Sequence, residues 1–313
     1  MPYLLQLVGR LSEGAARWPM SQRREWIEAT LHFQTPSGGF RGRAEEADLY
    51  YTAFAVRTLS LLDGWTDDSA DAARSYLAGQ LVQRRSVIDL VSLLFAGYTL
   101  EAATGRDVFA SASDEWVDRL LAELERHRGD DGGYARTTRG AASSTYQTFL
   151  NLLCYQLLDR PVPRAERAVG FILSQRADGG GFLEIRAAKR AGTNPTAAAI
   201  GALEILGALD EPIRRETAAF LLELRDESGG FRANTRIPLA DLLSTFTALW
   251  TLDRLGAAGE IDWAEVEHFV RLLAVPHGFL GAVLDPEPDV EYTFYGVGTL
   301  ALCALVGEAG PDQ

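Results

Sequence analysis

The chain alternates between two kinds of helical pattern. Segments such as WIEATLHFQ, LLAELERHR, AVGFILSQR, AAFLLELR and FVRLLAV carry their apolar residues on one stripe at helical spacing. Across a short loop, such segments give way to ones that are apolar nearly all round. These are DLYYTAFAVRTLSLL from Asp48, DLVSLLFAGYTL from Asp89, DLLSTFTALWTL from Asp241 and DVEYTFYGVGTLALCALV from Asp289. A helix with one apolar stripe lies on the outside of a bundle, and a helix apolar on every side is enclosed. The pattern predicts six amphipathic helices, each paired with an enclosed one.

The loops between them repeat as well. SGGFRGR spans 37–43, DGGYART spans 131–137, GGGFLEI begins at Gly179, and SGGFRAN spans 228–234. A worn copy, HGFLGAV, spans 277–283, while the second unit, VQRRSVIDL, has no glycine pair. Glycine suits such loops because helix exits use positive φ. The enclosed helices are expected to start at Asp48, Asp89, Ser144, Thr193, Asp241 and Asp289, the last four spaced 49, 48 and 48 residues apart. Six enclosed helices that start at one end form an inner ring within an outer ring. The expected fold is therefore all-α, an (α/α)6 toroid, with residues 1–313 as one domain and a helical extension over about 1–20.

That ring raises the question of chemistry. Asp, Ser and Thr at a helix start cap free backbone N–H groups, so each head has an ordinary structural role. Their convergence on one cavity also makes the rim a candidate site. Asp289 and Glu291 lie close behind Asp285 and Glu287, four acids in seven residues, and one member of such a cluster tends to titrate high. A solvated acidic loop stiffened by Pro286 and Pro288 explains the same residues. The enclosed helices carry Tyr50, Tyr51, Phe54, Phe95, Tyr98, Tyr146, Phe149, Phe246, Trp250, Tyr292, Phe294 and Tyr295, many in their first two turns. Aromatic faces near the mouth favour an apolar ligand and can stabilise a cation. Among the histidines, His277 lies in the fifth loop, where it is expected to share the rim with Asp289.

Composition narrows the partners. A net charge of −13 argues against nucleic acid. The two cysteines, Cys154 and Cys303, sit in apolar runs and read as buried thiols without metal spacing. No run is expected to approach the ~18 apolar residues of a membrane span, and the N-terminal apolar stretch is too short for a secretory signal. A cytoplasmic location is the expectation.

The repeat Q-x-x-x-x-G-G-F followed by a capped apolar helix resembles that of protein prenyltransferase β subunits and squalene/terpene cyclases. It appears as FQTPSGGFRGR, HRGDDGGYART, SQRADGGGFLE and LRDESGGFRAN, and the resemblance runs from about Glu25 to Val306. In the prenyltransferases it implies a zinc held by Asp, Cys and His, the first two in D-x-C-Y-S and the last in H-T-x-Y. The corresponding segments are DLLST, with Asp241 but Leu243 at the cysteine position, and Tyr292-Thr293-Phe294-Tyr295, with tyrosine for histidine. Zinc needs about four donors, thiolate or imidazole among them. Cys303 lies 14 residues beyond Asp289, roughly 20 Å down a helix. Neither metal nor other cofactor is expected. Arg232 and Arg236 are the basic residues left to meet a diphosphate.

In the cyclases the resemblance implies an acid motif, D-x-D-D-T-A. The sixth head reads D-V-E-Y-T-F, which makes Glu291 the proton donor, Asp289 its partner, and Tyr292 the occupant of the third acid position; Asp48 heads a second partial copy, DLYYTA. The expected function is a metal-independent, acid-initiated cyclase acting on an isoprenoid or other polyene. Its site would comprise Asp289, Glu291, Tyr292, Asp241 and Asp48. Tyr50, Tyr51, Phe95, Tyr146, Phe246, Trp250, Tyr295, Arg232 and Arg236 would contact substrate. A non-catalytic lipid binder, a β-like subunit that needs a helical protein partner, and a sugar-processing toroid with paired cavity carboxylates remain alternatives.

Overall fold

The computed structural model of the protein describes residues 1–81, 86–138 and 140–306. Within them, six helices form a closed inner ring: α3 (Leu49–Leu62), α5 (Val87–Thr104), α7 (Thr145–Leu157), α9 (Thr193–Ile205), α11 (Leu242–Leu255) and α13 (Val290–Val306). Each packs on the next, and α13 packs back on α3. The outer ring is α2 (Met20–Leu31), α4 (Asp67–Gly79), α6 (Asp114–Glu125), α8 (Ala165–Ser174), α10 (Glu211–Leu222) and α12 (Trp263–Leu272). This is the all-α, (α/α)6 toroid that the hydrophobic pattern predicts. The outer helices bury only one stripe, such as Val266, Phe269 and Val270 of α12. Nearly the whole of α13 is enclosed.

One inner helix corrects the sequence reading. Val87–Thr104 is 18 residues long with a mean hydropathy of 1.4, long and apolar enough to cross a membrane by length and composition. It packs between α3 and α7, so its apolar surface is matched by protein.

The loops explain why glycine comes in pairs. Gly180 has φ +92°, and a Cβ there would sit 2.4 Å from the carbonyl oxygen of Glu216 on the next outer helix; Gly229 has φ +88° and meets Glu265 at 2.5 Å. The second glycine of each pair lies against a ring of the same helix, Phe220 beyond Gly181 and Phe269 beyond Gly230. Only a residue without a side chain lets the loop approach this closely. The aromatic that follows is fully buried at Phe40, Tyr134, Phe182, Phe231 and Phe279.

A threonine in the first turn of the inner helix completes four of the units. The backbone N–H of Phe40, Tyr134, Phe182 and Phe231 donates to the hydroxyl of Thr52, Thr148, Thr196 and Thr245, at 2.8 to 2.9 Å. The hydroxyls of Thr52, Thr148 and Thr245 in turn donate to the head carbonyls of Asp48, Ser144 and Asp241. Short ladders form where the loop passes the head: β1 (Tyr134–Ala135) with β2 (Ser143–Ser144), and β3 (Phe231–Arg232) with β4 (Ala240–Asp241). A third, β5 (Ala274–Val275) with β6 (Gly278–Phe279), lies within the worn loop. Neighbouring units are stitched by Thr145, Thr193 and Leu242, whose N–H groups donate to carbonyls of the following loop.

Two of the expected heads are displaced. The cap of α5 is Ser86, and Asp89 sits three residues in, where its carboxylate returns a bond to the Ser86 N–H as half of a capping box. The cap of α9 is Gly192, and the Thr193 hydroxyl reaches instead to the Arg232 carbonyl.

Helix α1 (Tyr3–Ala15) lies across the C-terminal ends of the inner ring, against α3, α5, α7 and α13. Its polar and closest backbone contacts fall on late turns of inner helices, while the Tyr3 ring reaches Phe149 in the second turn of α7. Gln156 accepts from the Tyr3 N–H at 2.7 Å, Asp253 pairs with Arg10 at 3.2 Å, and Gly14 lies directly against the Ala301 carbonyl. The ring is thereby closed at one end and open at the rim of heads.

Candidate active site

The enclosed space is a cavity of about 490 Å³. Its floor is Tyr3, Leu4 and Leu7 of α1 with Trp250 of α11; its wall includes Phe54, Arg57, Phe95, Phe149 and Phe246; and Tyr50, Tyr146, Glu184 and Glu291 stand in the first turn of an inner helix or in a rim loop. The Trp250 indole donates to the Tyr3 hydroxyl at 2.7 Å, which satisfies the indole N–H at the floor.

Of the rim acids singled out in the sequence, Glu291 lines the cavity. It accepts from the Tyr50 hydroxyl at 2.7 Å and the Tyr295 hydroxyl at 3.3 Å. Burial, the largest cause, pushes its carboxyl above the ordinary glutamate range, and the charge of Asp289 adds to this; the two tyrosines and Arg57 pull the other way.

The other acids are committed elsewhere. Asp289, 2% exposed, caps α13 through the Tyr292 N–H at 3.0 Å and pairs with Arg43 at 3.2 Å. Arg43 also bridges to Asp285, so two of the four acids of this stretch share one positive charge. Asp289 therefore acts on Glu291 through its field and lies outside the cavity. Asp241 caps α11 and accepts from the Ser244 N–H and hydroxyl, and Asp48 caps α3 through Tyr50 and Tyr51. Neither lines the cavity, because a cap turns its carboxylate back onto its own helix.

Among the aromatics, Tyr50, Phe95, Tyr146, Phe246, Trp250 and Tyr295 line the cavity. Tyr51 and Tyr292 do not. The Tyr51 ring covers Gly42, and the Tyr292 ring covers Gly281 beside Arg43. Arg232 is also corrected. Its guanidinium folds back onto the Leu224 and Glu223 carbonyls, on the outer side of the ladder. Arg236 is exposed in the following loop. His277 stacks on His32 at 4.4 Å in a groove beside α2, away from the cavity.

The sequence reading missed Tyr3, Arg57, Glu184 and Asn194. Arg57 is the one charged residue of α3, and Asn194 stands beside the head of α9, signals that the emphasis on head acids passed over. Glu184 sits two residues after the aromatic of its loop. Its carboxyl is pushed up by burial and held down in part by Ser144 and the Tyr146 N–H.

The donors present do not make a zinc site. Asp241 spends its oxygens on Ser244, Leu243 presents a hydrocarbon, and Tyr292 stands where an imidazole would be needed. Burial pushes the Cys303 thiol up to about 12 and Cys154 higher still, the reverse of what a metal thiolate requires. Among the described residues no group of three or more His, Cys, Asp or Glu side chains is placed to hold a metal ion.

The raised carboxyls predict how stability responds to pH. A carboxyl that titrates higher when folded keeps a proton that the unfolded chain has lost, so its contribution falls as pH rises through that interval. Glu291, Asp241 and Asp289 all act in this direction. Glu125 is opposite: burial opposes it, but Arg128, Tyr134 and Tyr155 bring it down to about 2, so its contribution is lost only in strong acid. The expected result is that the wild type gains stability relative to Glu291→Gln as pH is lowered from about 8 towards about 5. Urea titrations of both proteins across that range check it, and taking their difference cancels the groups they share.

A family model described as "Prenyltransferase alpha-alpha toroid domain" matches residues 4–92, 88–210 and 197–311. No curated protein matches the chain in sequence. Among solved structures, Candida albicans protein geranylgeranyltransferase-I complexed with GGPP is similar with a TM-score of 0.71 at 16% identity, over 93% of this chain and 92% of that one. The type II terpene cyclase MstE from Scytonema, in complex with its substrate geranylgeranyl dihydroxybenzoate, gives 0.64 at 14% identity, over 96% and 99%. The GH76A alpha-1,6-mannanase from Salegentibacter sp. HEL1_6 gives 0.59 at 16% identity, over 92% and 99%. At these identities the likeness is one of fold.

Proposed function

Because the chain belongs to the prenyltransferase alpha-alpha toroid family, we propose that it acts on an isoprenoid held in the central cavity, with Glu291 as the acid that starts the reaction. The observation that carries this reading is the position of Glu291. It is the carboxyl of the sixth head that faces the cavity, and its surroundings keep its proton to higher pH. Fold relatives solved with GGPP and with geranylgeranyl dihydroxybenzoate support the substrate class.

The chemistry follows from the wall. The Glu291 carboxyl adds its proton to one carbon of an alkene, and the positive charge appears on the other. A neighbouring double bond of the chain closes on that carbon and forms a ring bond. Loss of a proton from an adjacent carbon restores an alkene, so the product is an isomer of the substrate and the proton is returned. Tyr50 and Tyr295 fix the Glu291 carboxyl, and the Phe246 ring lies 5.3 Å from that of Tyr295, so aromatic surface adjoins the acid. A glycan is poorly matched to this wall, which is mainly aromatic and aliphatic.

The test is incubation with farnesyl and geranylgeranyl alcohols, acids and terminal epoxides, with and without a chelator, and mass analysis of the products. The expected result is a cyclic product of unchanged mass, formed equally with the chelator present. Turnover that the chelator abolishes would replace the acid mechanism with a metal-dependent one.

A further inference from the structure

Arg57 takes no part in the proton transfer itself, though its charge helps to lower the Glu291 pKa, and its surroundings are unusual for an arginine. It lies on α3 seven residues beyond Tyr50, about 10 Å deeper along the helix. Its exposed surface faces the cavity it lines. Its Nε donates to the Ala53 carbonyl at 2.9 Å, and among the described residues it forms no ion pair. In place of a carboxylate it has three rings: its guanidinium carbon lies 4.2 Å from the centroid of Phe54, 4.6 Å from Phe95 and 5.2 Å from Phe294. Burial lowers its pKa to about 10, which leaves it charged at neutral pH.

An isolated charge taken into an apolar cavity is costly unless something completes it. Ring faces offset part of that cost and hold the guanidinium plane in place, but among the described residues the two terminal nitrogens have no hydrogen-bond acceptor. Glu291 and Glu184, the carboxylates in the cavity lining, are both outside ion-pairing reach of it. Two parallel N–H donors on a fixed plane fit a planar or tetrahedral oxyanion. The surrounding wall, which includes Val91, Leu150 and Leu153, fits hydrocarbon.

From this juxtaposition we propose that the cavity's natural ligand carries an oxyanion, a carboxylate or a diphosphate, held by the Arg57 guanidinium, with its apolar chain against the surrounding wall. The assignment rests on the reading of the cavity as an isoprenoid site for the nature of the chain, but not for the nature of the head. It also bears on the acid chemistry. An unneutralised guanidinium opposes a cation forming elsewhere in the same cavity, and a bound oxyanion removes that opposition. Arg57 is then a positioning residue.

Calorimetric titration of the purified full chain at pH 8 tests it with four paired probes and one charged homologue: dodecanoate against dodecanol, farnesoate against farnesol, and farnesyl diphosphate. Wild type is expected to bind each acid about tenfold or more tightly than its alcohol. Arg57→Met should abolish that preference without weakening the alcohols, and Arg57→Lys should retain part of it. Arg57→Gln serves the same purpose should the methionine variant fail to fold. Whichever of farnesoate and farnesyl diphosphate binds more tightly identifies the head. Equal binding of acids and alcohols by wild type, or a preference that survives in Arg57→Met and Arg57→Gln, would overturn the assignment. Acid preference with farnesyl compounds no tighter than dodecyl ones would keep Arg57 as the anchor and remove the isoprenoid reading. Glu291→Gln removes a carboxyl group from the same cavity and should keep or strengthen the preference, which separates a failure of the acid mechanism from a failure of the anchor.

Discussion

Glu291→Gln is expected to lower turnover of the isoprenoid substrate by about 10²- to 10⁴-fold, the usual contribution of a positioned general acid. The amide has the size and shape of the carboxyl. Its oxygen can still accept from the Tyr50 and Tyr295 hydroxyls, so the mouth keeps its arrangement. What it lacks is a proton to give. Substrate binding should therefore stay within a few-fold of wild type while kcat collapses, the pattern of an interaction made only in the transition state. Wild-type kcat should also fall with rising pH through the raised Glu291 pKa, and the residual rate of the variant should not. Asp289→Asn is the control. It removes the ion pair to Arg43 and the charge that helps raise Glu291, yet leaves the donor in place. Its loss should be much smaller, with the pH profile moved to lower pH. Retained turnover in Glu291→Gln, with Asp289→Asn strongly impaired, would transfer the acid role to the head itself.

The sequence made the rings legible because their signal is repeated and physical. Glycine pairs recur where a loop meets the carbonyl of the next outer helix, and each following aromatic is buried whole. The heads were less legible. Asp, Ser or Thr can occupy a cap or stand one to three residues inside it, so Asp89 and Thr193 were placed as caps when Ser86 and Gly192 hold those positions. The threonine of the first turn would have corrected the second error. Thr148, Thr196, Thr245 and Thr293 recur 48, 49 and 48 residues apart, and each sits four residues after its head, which makes Gly192 the head of α9.

The site was only partly legible for a different reason. Which head side chain faces inward depends on where its own hydrogen bonds go. Asp48, Asp241 and Asp289 turn back to backbone N–H groups, and Glu291, two residues further on, cannot. Alternation of that kind is a matter of helix phase, and one residue of register reverses it. Arg57 was hidden because it lies mid-helix among apolar neighbours, where a sequence shows a charge but not the three rings around it. The floor was hidden because α1 belongs to no repeat. Nothing in the periodicity of the chain says that its first helix closes the far end of the ring.

That floor carries the second large effect. Tyr3→Ala should cost about 3–5 kcal/mol of stability, the range for removing a buried aromatic. The ring packs edge-on against Phe149 at 5.6 Å and Trp250 at 6.0 Å, and its hydroxyl accepts the Trp250 indole N–H. Both the packing and the acceptor are lost together. The vacated volume adjoins a cavity that is already open to ligand, so it lengthens the site and does not become a sealed void. Affinity should therefore shift towards longer chains, with geranylgeranyl compounds gaining on farnesyl ones relative to wild type. Tyr3→Phe separates the two contributions. It keeps the ring and the floor, leaves the Trp250 N–H unsatisfied at a cost of about 1–3 kcal/mol, and should not change chain-length preference. Thermal melts with paired farnesyl and geranylgeranyl titrations on all three proteins measure both effects. If Tyr3→Ala is destabilised but its chain-length preference is unmoved, α1 is a structural plug and the ligand lies wholly nearer the rim. If preference shifts, the first helix of the chain sets the depth to which a substrate can enter, and with it the substrate length that Glu291 can act upon.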